Sequence, residues 1–250
     1  MEEVQKELDK LQQEKEELQH QLDLSKRALS LLAHDIRGIS SNLKWVVDSL
    51  DNKEVPQDLV FGMLPELKTE VEVNRQATEN ALQWVKYTAH GKGLNIEPVS
   101  VYNLYVALVE RLRVLISEKQ LRFQYIGDHS LTIQTDAYLI SFILTQILAN
   151  SIKYSYNGGT VTVSVMNDGR DNIKLSVVDQ GMGIEDTTKL FSFDGPRFTG
   201  TQGEKGSGLS LIVVKELASL LAIDIWVTSE ASETKFELNI PNTFLQKQNT

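Results

Sequence analysis

From Val4 the apolar positions advance in alternating steps of four and three, through Leu8, Leu11, Leu18, Leu22, Leu29, Leu32, Ile36, Ile39, Leu43, Val46 and Leu50, and only Lys15 and Ser25 break the seam. Glu, Lys and Gln fill most positions between. A heptad sustained for this length predicts one coiled-coil helix, whose stripe is buried only against a partner strand. After a turn-like stretch at 51–56 a second stripe runs through Val60, Leu64, Leu67, Val71, Asn74, Thr78, Ala81 and Val85, with Trp84 beside it. Two amphipathic helices joined by a short loop make an antiparallel hairpin, and one hairpin leaves much of its apolar surface in water. Pairing of two copies into a dimeric four-helix bundle is the simplest remedy, so a homodimer is expected.

The second stripe stops near His90-Gly91-Lys92-Gly93, a helix end and linker, and the domain boundary is expected there. Beyond it the period becomes mixed. The pattern predicts an extended piece at 95–99, a helix over 102–118, strands at 121–126 and 131–134, and a helix over 137–154. Strands follow at 160–167 and 172–178, then a loop-rich stretch to Gly208, a helix to Leu221, and strands at 223–228 and 234–240. Helices mixed with antiparallel-looking strands predict an α+β sandwich, one sheet with helices on one face.

Charged residues make up 24% of the chain and the formal net charge is −9, which disfavours a nucleic-acid surface and requires any polyphosphate site to be local. The absence of cysteine excludes disulfide scaffolds, Cys-ligated zinc and a thiol nucleophile, and agrees with a reducing compartment. No stretch approaches the roughly 20 apolar residues that span a bilayer, so no membrane contact by this segment is expected.

Four short constellations carry chemistry. With Leu32 and Ile36 in the seam, His34 stands about 200° round the helix from Leu32, pointing away from the core. An exposed imidazole with Asp35 beside it suits nucleophilic attack: the carboxylate orients or deprotonates one nitrogen while the other attacks. A solvated histidine on a charged helix face is the plain alternative, and His20 is read that way. On the 137–154 helix, Gln146 and Asn150 lie one turn apart, where amide oxygens can hold Mg²⁺ or its waters, and Lys153 can approach phosphate. Asp179-Gln180-Gly181-Met182-Gly183-Ile184 is a strand ending in a carboxylate and two glycines. The carboxylate can accept from an adenine amino group while the glycines let backbone approach a flat base; an Asx-capped turn is its plain alternative. Finally, Gly206-Ser207-Gly208-Leu209-Ser210-Leu211 leads glycines directly into an amphipathic helix, whose free N–H groups and dipole favour phosphate. It is not a P-loop, since no Gly-Lys-Ser/Thr follows the spacing.

In this order the pieces resemble the sensor histidine kinases. His34-Asp35 is similar to their H-box, 146–154 to the N-box, 179–184 to the first glycine box and 206–211 to the second. Leu190-Phe191-Ser192-Phe193 resembles the phenylalanine box and Thr234-Lys235-Phe236 the closing Thr-x-Phe strand. The resemblance implies a coiled-coil signalling helix at 1–28, a dimerisation and histidine phosphotransfer hairpin at 29–92, and a catalytic ATP-binding domain of the GHKL type at 93–250. By the same resemblance Asn150 holds Mg²⁺ with Gln146 in support, Lys153 contacts phosphate and Tyr154 flanks the nucleotide. Asp179 reads the adenine amino group, Gly181 and Gly183 shape the pocket, and Gly206, Ser207, Gly208 and Leu209 line the phosphates. Residues 191–203 form a mobile lid, from which Arg197 and Lys205 reach towards phosphate. His34 takes the γ-phosphoryl group of ATP, with Asp35 as base or orienter, and passes it to an aspartate on the receiver domain of a response regulator. The expected location is cytoplasmic, either alone or as the cytoplasmic part of a membrane-bound sensor.

The H-box departs from the family's commonest form. Its fourth and fifth residues after the histidine are usually Thr or Asn and then Pro; here they are Gly38 and Ile39. The missing polar side chain predicts weak or absent response-regulator phosphatase activity by this route, and robust dephosphorylation of a phosphorylated partner by purified protein would refute it. Two other functions compete. A nucleotide-binding dimeric scaffold, or pseudokinase, signals by conformation without labelling His34. A gyrase- or Hsp90-like ATPase hydrolyses ATP without an acceptor histidine, and the amide of Gln146 in place of a catalytic Glu argues against it.

Overall fold

The computed structural model describes residues 1–51, 56–88, 93–168 and 172–241. The chain forms two compact units, Met1–Lys92 and Gly93–Thr250. The hairpin turn expected at 51–56 and the linker at 90–93 fall largely outside the described residues.

The first unit is two helices, α1 (Glu2–Asp51) and α2 (Gln57–Thr88). The single seam read along α1 divides into two rows. Leu32 and Val46 are buried, and Val46, Val60 and Leu67 form a core on which Ile39 packs. The alternate row, Leu29, Ile36, Leu43 and Leu50, remains 48–65% exposed. Asn42 Nδ2 donates to Glu70 across the hairpin at 2.9 Å. Along α2 the buried positions are Val60, Leu67, Ala77, Asn80, Ala81, Trp84 and Tyr87, whereas Leu64 and Val71 of the expected stripe are about half exposed. Thr78 belongs to that stripe by spacing, and its hydroxyl is satisfied by the Asn74 carbonyl at 2.9 Å.

The second unit is an α/β sandwich. A two-stranded antiparallel ladder pairs β1 (Ile96–Ser100) with β3 (Thr132–Asp136). A five-stranded sheet has the order β2-β4-β5-β7-β6, with β2 (Arg122–Ile126), β4 (Thr160–Asn167), β5 (Asn172–Gln180), β6 (Asp224–Glu230) and β7 (Glu233–Pro241). Two findings depart from the single antiparallel-looking sheet expected. The β1–β3 ladder is separate, and β2 runs parallel to β4. A parallel pair needs a long crossover, which β3 and the helix α5 (Ala137–Tyr154) provide.

The helix expected over 102–118 is divided at Leu112 into α3 (Val101–Arg111) and α4 (Arg113–Glu118). Leu112, at φ −93° and ψ 4°, leaves helical geometry while staying buried with Leu108, and Val114 and Leu115 beyond it are exposed. Two caps fix the helix starts: Ser100 Oγ accepts from the Asn103 N–H, and Asp136 Oδ1 accepts from the N–H groups of Tyr138 and Leu139. Strand alternation then sets the core, which faces α5 and α6 (Ser210–Leu220). Val161, Val163 and Val165 of β4, Ile173, Leu175 and Val177 of β5, and Phe236, Leu238 and Ile240 of β7 are all buried. The next residue of that parity on β5 is Asp179, and on β7 it is Thr234. The period that buries the valines therefore also buries a carboxylate.

Candidate functional site

Asp179 sits at the end of β5, paired in register with Val161 on one side and Thr234 on the other, and it is 2% exposed. Four residues beyond Ile147 on the buried face of α5, Ser151 is 1% exposed. Burial pushes the Asp179 carboxyl up to about 7, the Ser151 hydroxyl opposes that shift and the charge of Glu233 adds to it. The hydroxyl stops short of a full hydrogen bond, because both Ser151 Oγ and Asp179 Oδ1 are buried with no partner. Buried polar atoms are normally satisfied. Such a pair therefore suits a ligand that brings its own donor and acceptor, as the edge of adenine does. Sequence reading found Asp179 but not Ser151, whose only signal was its place in the i, i+4 row after Ile147.

The glycines around Asp179 leave no room for side chains. A Cβ on Gly181 would lie 2.2 Å from the Tyr154 carbonyl oxygen and 2.9 Å from Asp179 Oδ1. Gly183 has φ +69°, and a Cβ there would lie 2.1 Å from the Ala231 oxygen. Backbone bonds tie this turn to its surroundings: the Gly181 N–H donates to the Ser232 oxygen at 2.9 Å, and the Met182 N–H donates to the Tyr154 oxygen at 3.2 Å. Gly181 therefore brings the end of β5 against the end of α5, while Gly183 abuts the turn between β6 and β7.

The second glycine segment meets the same helix end. A Cβ on Gly206 would lie 2.7 Å from Lys153 Nζ, and one on Gly208, at φ +77°, would lie 3.4 Å from Arg197 Nε. Ser207 Oγ accepts from the Leu209 N–H at 3.3 Å, and no side chain caps the start of α6, where Leu209 is fully buried. Lys153 and Arg197 flank the glycine loop that leads into α6, whose dipole favours an anion near its start. Burial pulls the Lys153 ammonium below its usual value, with Glu204 opposing and Lys119 adding. Burial likewise pushes the Tyr154 phenol up to about 12, and the charge of Glu204 adds to it. Asn150 is half-buried, Gln146 one turn earlier is buried, and Lys205 is exposed.

The lid expected over 191–203 is tied down along its second half. Tyr154 Oη donates to the Phe198 oxygen at 3.3 Å, the Thr201 N–H to the Lys153 oxygen at 3.2 Å, and Gln202 Nε2 to Asn157 Oδ1 at 2.9 Å. Sequence reading missed these anchors together with Lys119, because each joins positions more than 40 residues apart or uses backbone oxygens.

In the first unit the His34 side chain is 83% exposed, and its Nδ1 lies 3.2 Å from Asp35 Oδ1. Nε2 is the nitrogen that this contact leaves available.

Residues 135–243 match the family model described as histidine kinase-, DNA gyrase B- and HSP90-like ATPase. The adaptive-response sensory kinase SasA of Crocosphaera subtropica is 27% identical over 231 residues, covering 89% of this chain and 60% of that protein. The chain therefore spans less than two thirds of the length of that relative. Among solved structures, the histidine kinase AdeS of Acinetobacter baumannii superposes with a TM-score of 0.65 at 22% identity, over 85% of this chain and 97% of that one. The histidine kinase ThkA, solved in complex with the response regulator TrrA, gives a TM-score of 0.65 at 18% identity, over 88% of this chain and 61% of that one. At these identities the structural likenesses speak to the fold: a long helical hairpin followed by an α/β sandwich.

Proposed function

We propose that this chain, a sensor histidine kinase core whose second unit carries the histidine kinase-, DNA gyrase B- and HSP90-like ATPase domain, transfers the γ-phosphoryl group of ATP to His34 and then to an aspartate of a response regulator. The observation that carries this reading is the buried, unpartnered pair Asp179 Oδ1 and Ser151 Oγ beside the close-packed glycines 181 and 183. Asp179 accepts from the adenine amino group, and Gly181, where any side chain would collide with the Tyr154 carbonyl, lets the end of β5 that carries this carboxyl pack against the end of α5. Lys153, Gly206, Ser207, Gly208 and Leu209, leading into the start of α6, hold the phosphates.

Asn150 holds Mg²⁺ through its amide oxygen, a hard donor of the kind this ion takes, with Gln146 behind it. When bound, the ion neutralises the phosphate oxygens. At His34, Nδ1–H donates to Asp35, which keeps the lone pair on Nε2. That lone pair forms the N–P bond as the bond from the γ-phosphorus to the bridging oxygen breaks, and ADP leaves. The likeness to ThkA, solved with a response regulator, supports the choice of acceptor. Incubating purified protein with γ-labelled ATP tests the reading. Acid-labile, base-stable label on the chain is expected, and a chain that binds ATP yet stays unlabelled would favour a scaffold.

The active form is a homodimer, supported by the row Leu29, Ile36, Leu43 and Leu50 that the hairpin leaves exposed every seventh residue. Leu43→Glu is expected to give a monomer in analytical ultracentrifugation without unfolding the second unit. A variant that sediments as wild type would refute this interface.

A further inference from the structure

Lys119 follows α4 directly and is 3% exposed, an unusual place for a lysine. Its ammonium reaches four oxygens: the Lys153 carbonyl at 2.5 Å, Glu204 Oε1 at 2.6 Å, Thr201 Oγ1 at 2.8 Å and the Ser155 carbonyl at 3.5 Å. Two of these close the end of α5 and two belong to the loop before α6. The loop side is itself a closed turn. Glu204 Oε2 accepts from the Gln202 N–H at 2.7 Å, the Gly200 N–H donates to the Glu204 carbonyl at 2.8 Å, and Thr201 Oγ1 donates to the Ser155 carbonyl at 2.6 Å. Burial raises the Glu204 carboxyl, but the Lys119 ammonium and the surrounding N–H donors outweigh it and hold the group ionised, below its usual range. The helix end fixed on one side carries Lys153; the loop fixed on the other runs in two residues to Gly206, where a Cβ would lie 2.7 Å from Lys153 Nζ.

We propose that Lys119 is a positioning residue for phosphate binding: its buried ammonium pins the root of the lid, through Glu204 and Thr201, to the end of α5, and so holds Gly206 and Lys153 together around the phosphates. The inference rests on the pocket being a nucleotide site. It puts the hinge of the lid ahead of Phe198, so that the moving part is confined to residues before it. Breaking one half of a buried charge pair is costly because the other half is left unpaired, and the effect passes to groups packed on it.

Titration with ATP and with adenosine, which carries no phosphate, separates positioning from general damage. Lys119→Met is expected to weaken ATP by roughly ten- to a hundredfold while changing adenosine by less than about twofold. Lys119→Arg, which keeps the charge, recovers part of the loss. Glu204→Gln and Thr201→Val alter only the loop side and give smaller losses of the same sign, and they serve if Lys119→Met does not fold by circular dichroism. Adding Lys119→Met to Glu204→Gln costs less than the sum of the two. Variants that bind ATP as wild type does, or lose ATP and adenosine in proportion, overturn the proposal. Wild-type protein that binds neither overturns the nucleotide reading instead.

Discussion

Replacing His34 with Gln is expected to abolish phosphoryl label on the chain, a loss of at least about a thousandfold, while ATP affinity stays at the wild-type value. Gln keeps a polar, helix-compatible side chain at an 83% exposed site, so neither folding nor packing of α1 is at stake. It removes the imidazole nitrogen proposed to bond to phosphorus. The comparison also separates the competing functions. A gyrase-like ATPase keeps its hydrolysis in the variant, and a scaffold has no label to lose. Label that survives the substitution at wild-type level would show that another residue is the acceptor and that the exposed imidazole is a surface histidine.

Asp179→Ala should weaken ATP on the order of a hundredfold, the cost of losing a hydrogen bond to a charged, buried acceptor. The loss should be nearly as large for adenosine, because the contact is to the base, in contrast with the Lys119 variants. The carboxyl also makes binding depend on pH. Burial first, then Glu233, raises it to about 7 in the unliganded chain, against the partial relief from Ser151. An amino donor prefers the ionised form, so affinity should climb as pH rises through about 7 and level off above it, with proton release on binding below that point. Stability runs the other way. With the carboxyl raised from 3.8 to about 7, the folded chain holds a proton that the unfolded chain releases. The group's contribution is therefore full below 3.8 and is lost as pH rises towards 7. Calorimetry in buffers on either side of neutrality measures both slopes. A pH-independent affinity that Asp179→Asn does not alter would remove the carboxylate from the base-reading role.

Much of this was legible in the sequence, for stated reasons. Alternation and helical period are local signals, so α5 falls at 137–154 as read and the strands fall within two residues of expectation. The glycines at 181, 183, 206 and 208 were legible because only backbone that must approach something needs them. What escaped was non-local. Nothing in the composition near Leu112 announces the helix break there, where φ −93° and ψ 4° depart from helical values. The parallel pairing of β2 with β4 depends on a crossover, not on the composition of either strand. Lys119 is the clearest miss, since a lysine after a short helix reads as surface and its partners lie 34 to 85 residues onward. The seam of α1 was read as one stripe, whereas the hairpin uses Leu32, Ile39 and Val46 and leaves the intervening row for another surface.

The order of the sheet has a consequence for how the pocket breathes. β5 is the third of five strands, bonded on both sides, so its amides are expected among the slowest of the domain to exchange with solvent. Asp179 ends that strand, whereas the phosphate-side residues 185–209 lie in a stretch with no helix or strand. In the proposed reading the base meets a centrally bonded strand, and the phosphates meet a loop that is anchored on the end of α5 from Phe198 to Glu204. Loosening of the loop ahead of Phe198 can then proceed without disturbing the strand that carries Asp179.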